Sequence, residues 1–203
     1  MSAHHGREPG NLRSRLIHEA VRLMAEQGID DPLLARRKAA HRLGLSETRH
    51  LPTGQEIIAE LRDYLALFQA GSHERRLRRL RAIALEAMAR LAGLADVRLV
   101  GPVLEGTAVD ATPVTLHLLG ITAEEVAIHL LERGVPYRES AYTACYGPHD
   151  RREIPAFLLR HGETAIELLV FAPDCPRQAP ISPITGKAMR RARAEPVARL
   201  LEA

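Results

Sequence analysis

The stretch that decides the fold runs from residue 99 to residue 119 and reads LVGPVLEGTAVDATPVTLHLL. Two short runs rich in β-branched and aliphatic residues, 97–104 and 113–119, are typical of strands. The residues between them, EGTAVDAT, favour a turn because they include Gly, Thr and Asp. The sequence therefore predicts two strands joined by a turn at Gly106 and Thr107.

The residues that follow predict one helix and three more strands. Thr122 and Glu125 have the spacing of a capping box, which opens a helix that ends at Gly134. Four prolines between positions 173 and 183 predict an extended, irregular segment, and the basic stretch after it ends in a short helix at 197–201. The predicted strands are Pro136 to Ala144, Ile154 to Arg160 and Thr164 to Phe171.

Two helices are predicted at the beginning of the chain. Apolar side chains recur at helical spacing over residues 11–28, and Gly28 is placed to end that helix. Asp31 is placed to cap a second helix that begins at Pro32, where the missing N–H is tolerated, and that ends at Gly44.

Two further helices precede the decisive stretch. Thr53 and Glu56 form a second capping box, so a third helix runs to about Gln69 and is closed by Gly71. Ser72 is predicted to cap a long fourth helix. We expect the four helices to pack as a bundle or clasp, and the apolar stripe of the fourth to lie either inside the chain or across a dimer. That stripe consists of Leu77, Leu80, Ala84, Ala87, Met88 and Leu91.

These elements predict an α+β fold in which about four N-terminal helices pack on a small mixed β-sheet. We assign residues 1–10 to a disordered N-terminus, 11–93 to the helical region and 94–172 to the α+β domain. Residues 173–203 form a Pro-rich and then basic C-terminal tail with a short helix.

Composition narrows the class of protein. The 203 residues are 46% apolar and 26% charged, which fits one or two small globular domains. No apolar run approaches the roughly 18 residues that span a bilayer, and the first residues do not resemble a signal peptide, so we expect a cytoplasmic protein without a membrane partner. Cys145 and Cys175 are interpreted as ordinary buried thiols.

In its order of strand, Gly-Thr turn, strand, helix and strand, the segment 75–171 resembles the DNA polymerase β-like nucleotidyltransferase superfamily. The resemblance implies that Gly106 and Thr107 match the family's Gly-Ser turn, which cradles phosphate. It also implies that Pro113 and Thr115 occupy the positions of the Asp-x-Asp pair, which holds two metal ions. Neither side chain binds a divalent cation as a carboxylate does, so the resemblance implies the fold without the standard two-metal catalysis.

Three acidic residues remain as catalytic candidates. Glu167 lies where the resemblance implies a third carboxylate, while Glu105 and Asp110 flank the turn. An active enzyme with this rearranged acidic site would require Mg²⁺ or Mn²⁺. The plainer interpretation is that the two turn residues are solvated.

A bound nucleotide would meet Gly106 and Thr107, and further polar residues are candidates for the same role. These are Thr115, Arg151, Arg152 and Lys187. His117 shares a strand face with Thr115 and is interpreted as a half-buried packing or hydrogen-bonding residue. Basic clusters at residues 75–81 and 187–193 can contact phosphates, although charges on a helix are commonly only a solvated face.

Other motifs point to weaker hypotheses. The tract 145–152 contains Cys, His and Asp, yet a hairpin loop explains it better than thiol catalysis does. Residues 35–51 resemble a helix-turn-helix whose recognition helix begins at Ser46, but Pro52 leaves that helix too short. The segment 184–187 lacks the first glycine of a P-loop.

The leading hypothesis is a nucleotidyltransferase-like protein that binds a nucleotide or a partner without standard transfer activity. One alternative is an active, metal-dependent nucleotidyltransferase, and a second is a DNA-binding regulator that acts through the N-terminal helices. The partner hypotheses are a nucleotide, a protein or second copy of the chain, and, more weakly, nucleic acid. The sequence names no cofactor and no substrate.

Overall fold

A computed structural model describes residues 9–45 and 51–202, and it confirms an α+β fold. This part of the chain contains seven helices and one five-stranded mixed sheet. The helices are α1 (Pro9–Gln27), α2 (Pro32–Arg42), α3 (Gly54–Phe68), α4 (Ala70–Leu91), α5 (Gly101–Glu105), α6 (Ala123–Glu132) and α7 (Ala194–Glu202). The strands are β1 (Asp96–Val100), β2 (Val114–Leu119), β3 (Arg138–Cys145), β4 (Arg151–His161) and β5 (Thr164–Phe171).

Two predicted features fall on residues outside this description. The segment 1–10 predicted to be disordered lies outside it except for Pro9 and Gly10, which begin α1. The start of the predicted recognition helix, at residue 46, also lies outside the described residues.

The sheet has the strand order β1-β2-β5-β4-β3. β2 runs parallel to β5, and the other neighbouring strands are antiparallel. The register places Thr115 beside Glu167 and Arg98 beside His117. Side chains that are close in space on one sheet face therefore come from distant parts of the sequence.

Both predicted capping boxes are present. The Thr53 hydroxyl accepts a hydrogen bond from the N–H of Glu56, whose carboxylate accepts one from the N–H of Thr53 at 2.7 Å. Thr122 and Glu125 make the same reciprocal pair at the start of α6. The helix α6 thus begins where the sequence predicted.

The prediction of a strand over 97–104 is wrong beyond Val100. Gly101 has a φ of 71°, which breaks the extended conformation, and Pro102 then lies in the first turn of the short helix α5. Gly106 ends α5 in the left-handed conformation, with a φ of 81°. A helical turn therefore separates β1 from the turn at Thr107.

The prediction that Ser72 caps α4 is also wrong. α4 begins at Ala70, immediately after the single break at Gln69, so Gly71 lies inside α4 and does not close α3. The Ser72 hydroxyl instead donates to the carbonyl oxygen of Gln69 at 3.0 Å. The break between the two helices is only one residue long.

The helices do not form one four-helix bundle. α1, α2 and α3 share a hydrophobic core to which Val109, from the connection before β2, also belongs. The apolar stripe of α4, including Leu80, Ala84 and Met88, belongs instead to the core formed with β1, β2 and β5. The stripe is therefore buried inside the chain.

The C-terminal segment, residues 173–202, packs against both edges of the sheet. Leu99 and Ala192 exchange two backbone hydrogen bonds, of 2.8 and 2.9 Å, along the outer edge of β1. The N–H of Ile181 donates to the carbonyl oxygen of Cys145 at the other edge of the sheet. α7 packs on α4 through the fully buried Val197.

Candidate functional site

A cavity of about 340 Å³ lies where α1, α3, α5 and the C-terminal segment meet. One part of its wall is apolar and aromatic and includes Met24, Ile58, Tyr142 and Met189. Its polar lining includes Asp30, Gln55, Arg62, Glu105, Thr107 and Thr185. A small apolar cavity with a few polar groups has the usual character of a small-molecule site.

Thr107 lines this cavity, and its hydroxyl is buried without a hydrogen-bond partner among the described residues. The backbone N–H groups of Gly106 and Thr107 both donate to the carbonyl oxygen of Pro102, at 2.8 and 2.9 Å. His73 donates from Nε2 to the carbonyl oxygen of Gly106 at 3.0 Å. The turn therefore leaves the Thr107 hydroxyl without a described partner, while these amides are occupied.

Gly101 is the first residue after β1 and also lines the cavity. Its φ of 71° is a conformation that side chains other than glycine rarely adopt. A Cβ built there would meet no heavy atom within 4 Å. The turn that directly follows the first strand is therefore Gly101–Pro102, five residues before the Gly106–Thr107 position that sequence reasoning emphasised.

Two of the predicted acidic residues, Glu105 and Glu167, lie near Asp30. Asp30 itself was not predicted from the sequence. Asp30 lines the first cavity together with Glu105, and it lines a second cavity of about 470 Å³ together with Glu167. Desolvation raises the pKa of Asp30. The pKa of Glu167 is raised mainly by desolvation and further by the charge of Asp30, while the hydrogen bond from Thr115 at 3.3 Å opposes both.

The third predicted acidic residue lies elsewhere. Asp110 forms an ion pair with Arg76 on α4, at 2.6 Å, and lines neither cavity. Pro113, one of the two positions matched to the family's metal-binding aspartates, lies beside Glu167 in the second cavity. Over residues 9–45 and 51–202, no group of three His, Cys, Asp or Glu side chains is arranged to hold a metal ion.

The predicted basic residues do not line the first cavity. Arg152 pairs with Asp150 at 3.1 Å and lies over the ring of Tyr146, and the neighbouring Arg151 is exposed at the start of β4. Lys187 is exposed in the loop whose residues 182–185 line the cavity, but Lys187 itself is not part of the lining. The basic side chain in the lining is Arg62 of α3.

Most of the lining residues were missed by sequence reasoning, among them Asp30, Arg62 and Gly101. Arg62 lies among charged residues on the outer side of an amphipathic helix, so no local pattern distinguished it. Asp30 precedes the helix cap Asp31 and looked like an ordinary turn residue. Gly101 did carry a signal, because a Gly-Pro pair inside a predicted strand favours a break.

His117 is more deeply buried than predicted. Its side chain is fully inaccessible, and its ring packs against Phe171 with ring centroids 4.6 Å apart. Arg191 donates from Nε to Nδ1 of His117 at 3.0 Å. Desolvation, aided by the charge of Arg191, lowers the pKa of His117 to about 3.

Among the described helices, none is both long and apolar enough to cross a bilayer. No family model matches the chain, and neither the curated proteins nor the solved structures contain a significant match to it.

Proposed function

We propose that the protein is a nucleotidyltransferase-like nucleotide-binding protein that lacks standard two-metal transfer activity. The ligand site in this proposal is the 340 Å³ cavity beside α5. The buried Thr107 hydroxyl carries the proposal, because a buried polar group without a partner is costly unless a ligand or water completes its hydrogen bonds.

The lining supports a nucleotide in particular. The side chains of Met24, Ile58 and Tyr142 provide an apolar and aromatic surface for a base. Arg62 provides a cation for phosphate, and no described residue forms an ion pair with it. The open space in front of the Gly101 Cα lets a ligand approach the backbone closely.

The element order also supports the proposal. β1 is followed by α5, by the antiparallel strand β2, by α6, by β3 and β4, and then by β5, which is parallel to β2. The sequence of β1, turn, β2, α6 and β3 supports the resemblance described above, with α5 inserted between β1 and the turn. Thr115 lies on β2 and Pro113 immediately precedes it, and neither side chain is a carboxylate. This supports binding without the standard metal-assisted transfer.

The test is thermal unfolding of the protein with each nucleoside mono- and triphosphate, with and without Mg²⁺. A nucleotide at about 100 times its dissociation constant should stabilise the folded state by roughly 2.7 kcal/mol. The variants Thr107→Val and Arg62→Gln should each lose most of this stabilisation. Thr143→Val, on the exposed face of β3, is the matched control and should retain it.

One observation favours a metal-dependent alternative enough to include it in the test. Asp30 lines both cavities and so lies near Glu105 and Glu167. If nucleotide binding required Mg²⁺ and was lost in Asp30→Asn, binding would depend on the metal and on this carboxylate, and the metal-dependent alternative would replace the binding-only proposal. If no nucleotide stabilised the wild-type protein, both versions would be wrong.

A further inference from the structure

A wide groove runs along the outer side of β1, and it shares no lining residue with the cavity beside Thr107. It has a volume of about 1100 Å³ and lies between residues 92–98 and residues 190–196. Four arginines line it, namely Arg98, Arg190, Arg191 and Arg193. The groove therefore brings the basic C-terminal cluster noted in the sequence next to an arginine of β1.

The acidic residues of this groove do not neutralise all four arginines. Asp96 pairs with Arg98 at 2.5 Å and with Arg193 at 3.6 Å. Glu195 is engaged by Arg199 on the next turn of α7. Within the described part of the chain, no carboxylate lies within ion-pair distance of Arg190 or Arg191. Two cations of the groove are thus left for another anion.

Two of the arginines also bury nitrogen atoms that have no acceptor. Nε of Arg98 and Nη2 of Arg191 are inaccessible and make no hydrogen bond to any described residue. Guanidinium nitrogens only donate, so both positions require an acceptor such as an oxyanion or water. A buried donor without an acceptor destabilises the folded protein.

His117 fixes Arg191 without neutralising it. Because Nδ1 of His117 accepts from Arg191, the imidazole carries its proton on Nε2 and is neutral. The guanidinium also lies over the ring of Phe171, 4.9 Å from its centroid. Desolvation lowers the pKa of Arg191; the charge of Arg98 lowers it further, while Tyr146 and Asp96 raise it. The guanidinium group of Arg191 is thus partly dehydrated beside a second cation.

We propose that this groove is a second ligand site, which binds a phosphate group between Arg98 and Arg191 with Arg190 and Arg193 at its rim. A phosphate offers several acceptor oxygens and up to two negative charges, so it can take hydrogen bonds from two guanidinium groups at once. It would supply negative charge to Arg190 and Arg191, which pair with no carboxylate among the described residues.

The test measures binding of inorganic phosphate by calorimetry at constant ionic strength. Arg191→Gln should weaken binding about tenfold or more, because it removes a charge-assisted hydrogen bond. Arg190→Gln, at the exposed rim, should weaken it by a smaller factor and should not disturb the core. Arg177→Gln is the control, since Arg177 is exposed outside the groove.

The source of the phosphate is distinguished by two further titrations. A thymidine dinucleotide with a 5′-phosphate should bind more tightly than inorganic phosphate if the natural ligand is a phosphorylated molecule. Equal binding of the two probes would identify free phosphate as the ligand. The dinucleotide without the 5′-phosphate should bind at least about tenfold more weakly than its phosphorylated form.

This site is independent of the nucleotide cavity, so the two proposals fail separately. Thr143→Val, which lies outside both sites, should leave binding of inorganic phosphate unchanged. If wild-type protein does not bind phosphate, or if Arg177→Gln weakens binding as much as Arg190→Gln does, the groove proposal is wrong. Should Arg191→Gln fail to fold, the comparison of Arg190→Gln with Arg177→Gln still decides the question.

Discussion

His117 makes the stability of the protein depend on pH. In the unfolded chain a histidine has its ordinary pKa of 6.5, whereas in the folded protein desolvation lowers the pKa of His117 to about 3. The folded state therefore disfavours the proton, so its contribution to stability is complete above pH 6.5 and falls as the pH decreases towards 3. We expect a loss of about 2 kcal/mol between pH 7.5 and pH 5.

Urea denaturation at these two pH values measures the effect. The variant His117→Gln keeps an acceptor for Arg191 but cannot take up a proton, so its free energy of unfolding should change less over the same range. The other histidines titrate equally in both proteins and cancel in the comparison. An identical pH dependence in the two proteins would contradict the assignment to His117.

Thr107 permits a prediction about the protein without ligand. Its buried hydroxyl has no partner among the described residues, so Thr107→Val removes an unsatisfied polar group and keeps the shape of the side chain. We expect the free energy of unfolding to stay unchanged or rise by up to about 1 kcal/mol. Thr112→Val is the contrasting variant, because the Thr112 hydroxyl accepts from the N–H of Val109 at 2.9 Å, and it should be destabilised.

At the scale of elements, the first residues of helices that begin with a capping box were predictable from the sequence. The capping boxes at Thr53 and Thr122 follow from spacing alone, because the hydrogen bonds of a cap are local. α5 was not predictable in this way, since its Val103 and Leu104 fit a strand as well as a helix. Both side chains are buried, and their tertiary contacts, rather than their propensity, decide the conformation.

Gly101 is the residue on which the break between β1 and α5 depends. Gly101→Ala forces an L side chain into a φ of 71°, which we expect to destabilise the protein by about 1–2 kcal/mol. The variant should also weaken nucleotide binding, because its methyl group would enter the space in front of the backbone. Denaturation midpoints and nucleotide titrations measure these two effects.

Gly93→Ala is the matched control for this substitution. Gly93 also has open space around its Cα, but its φ is not positive. Its replacement should leave stability nearly unchanged or slightly raised. An equal loss in both variants would show that the left-handed conformation of Gly101 is not the cause.

At the scale of the whole molecule, the candidate site could not be assembled from the sequence. Its lining comes from α1, α3, the α5 turn, β3 and the C-terminal segment, which are far apart in the chain. Glu105 and Thr107 were identified because they lie in one recognisable stretch. Asp30 and Arg62 reach the cavity only through tertiary packing, which no local periodicity encodes.

The core of α1–α3 and the core of the sheet with α4 predict different responses to equivalent substitutions. Leu61 belongs to the core of α1–α3, and Leu116 belongs to the core of the sheet and α4. Both are fully buried, so replacement of either by Ala should lower the free energy of unfolding by about 2–5 kcal/mol. Hydrogen exchange should distinguish the two variants.

In Leu61→Ala, exchange should accelerate in α1–α3 while β2 and β5 remain protected, because the smaller core opens by itself. In Leu116→Ala, we expect exchange to accelerate throughout the chain. Uniform acceleration in both variants would mean that the two cores unfold as a single cooperative unit. Val109, which joins the core of α1–α3 from the connection before β2, would then be sufficient to couple the two cores.

The pairing of Leu99 with Ala192 also constrains the order of events during synthesis on the ribosome. Leu99 is made 93 residues before Ala192 (192 − 99), so the outer hydrogen bonds of β1 must wait for that later segment. Because contacts between distant residues slow folding, we expect the sheet to be completed only after residue 192 has emerged. We expect the helices α1–α3 to pack together earlier and Val109 to join their core afterwards.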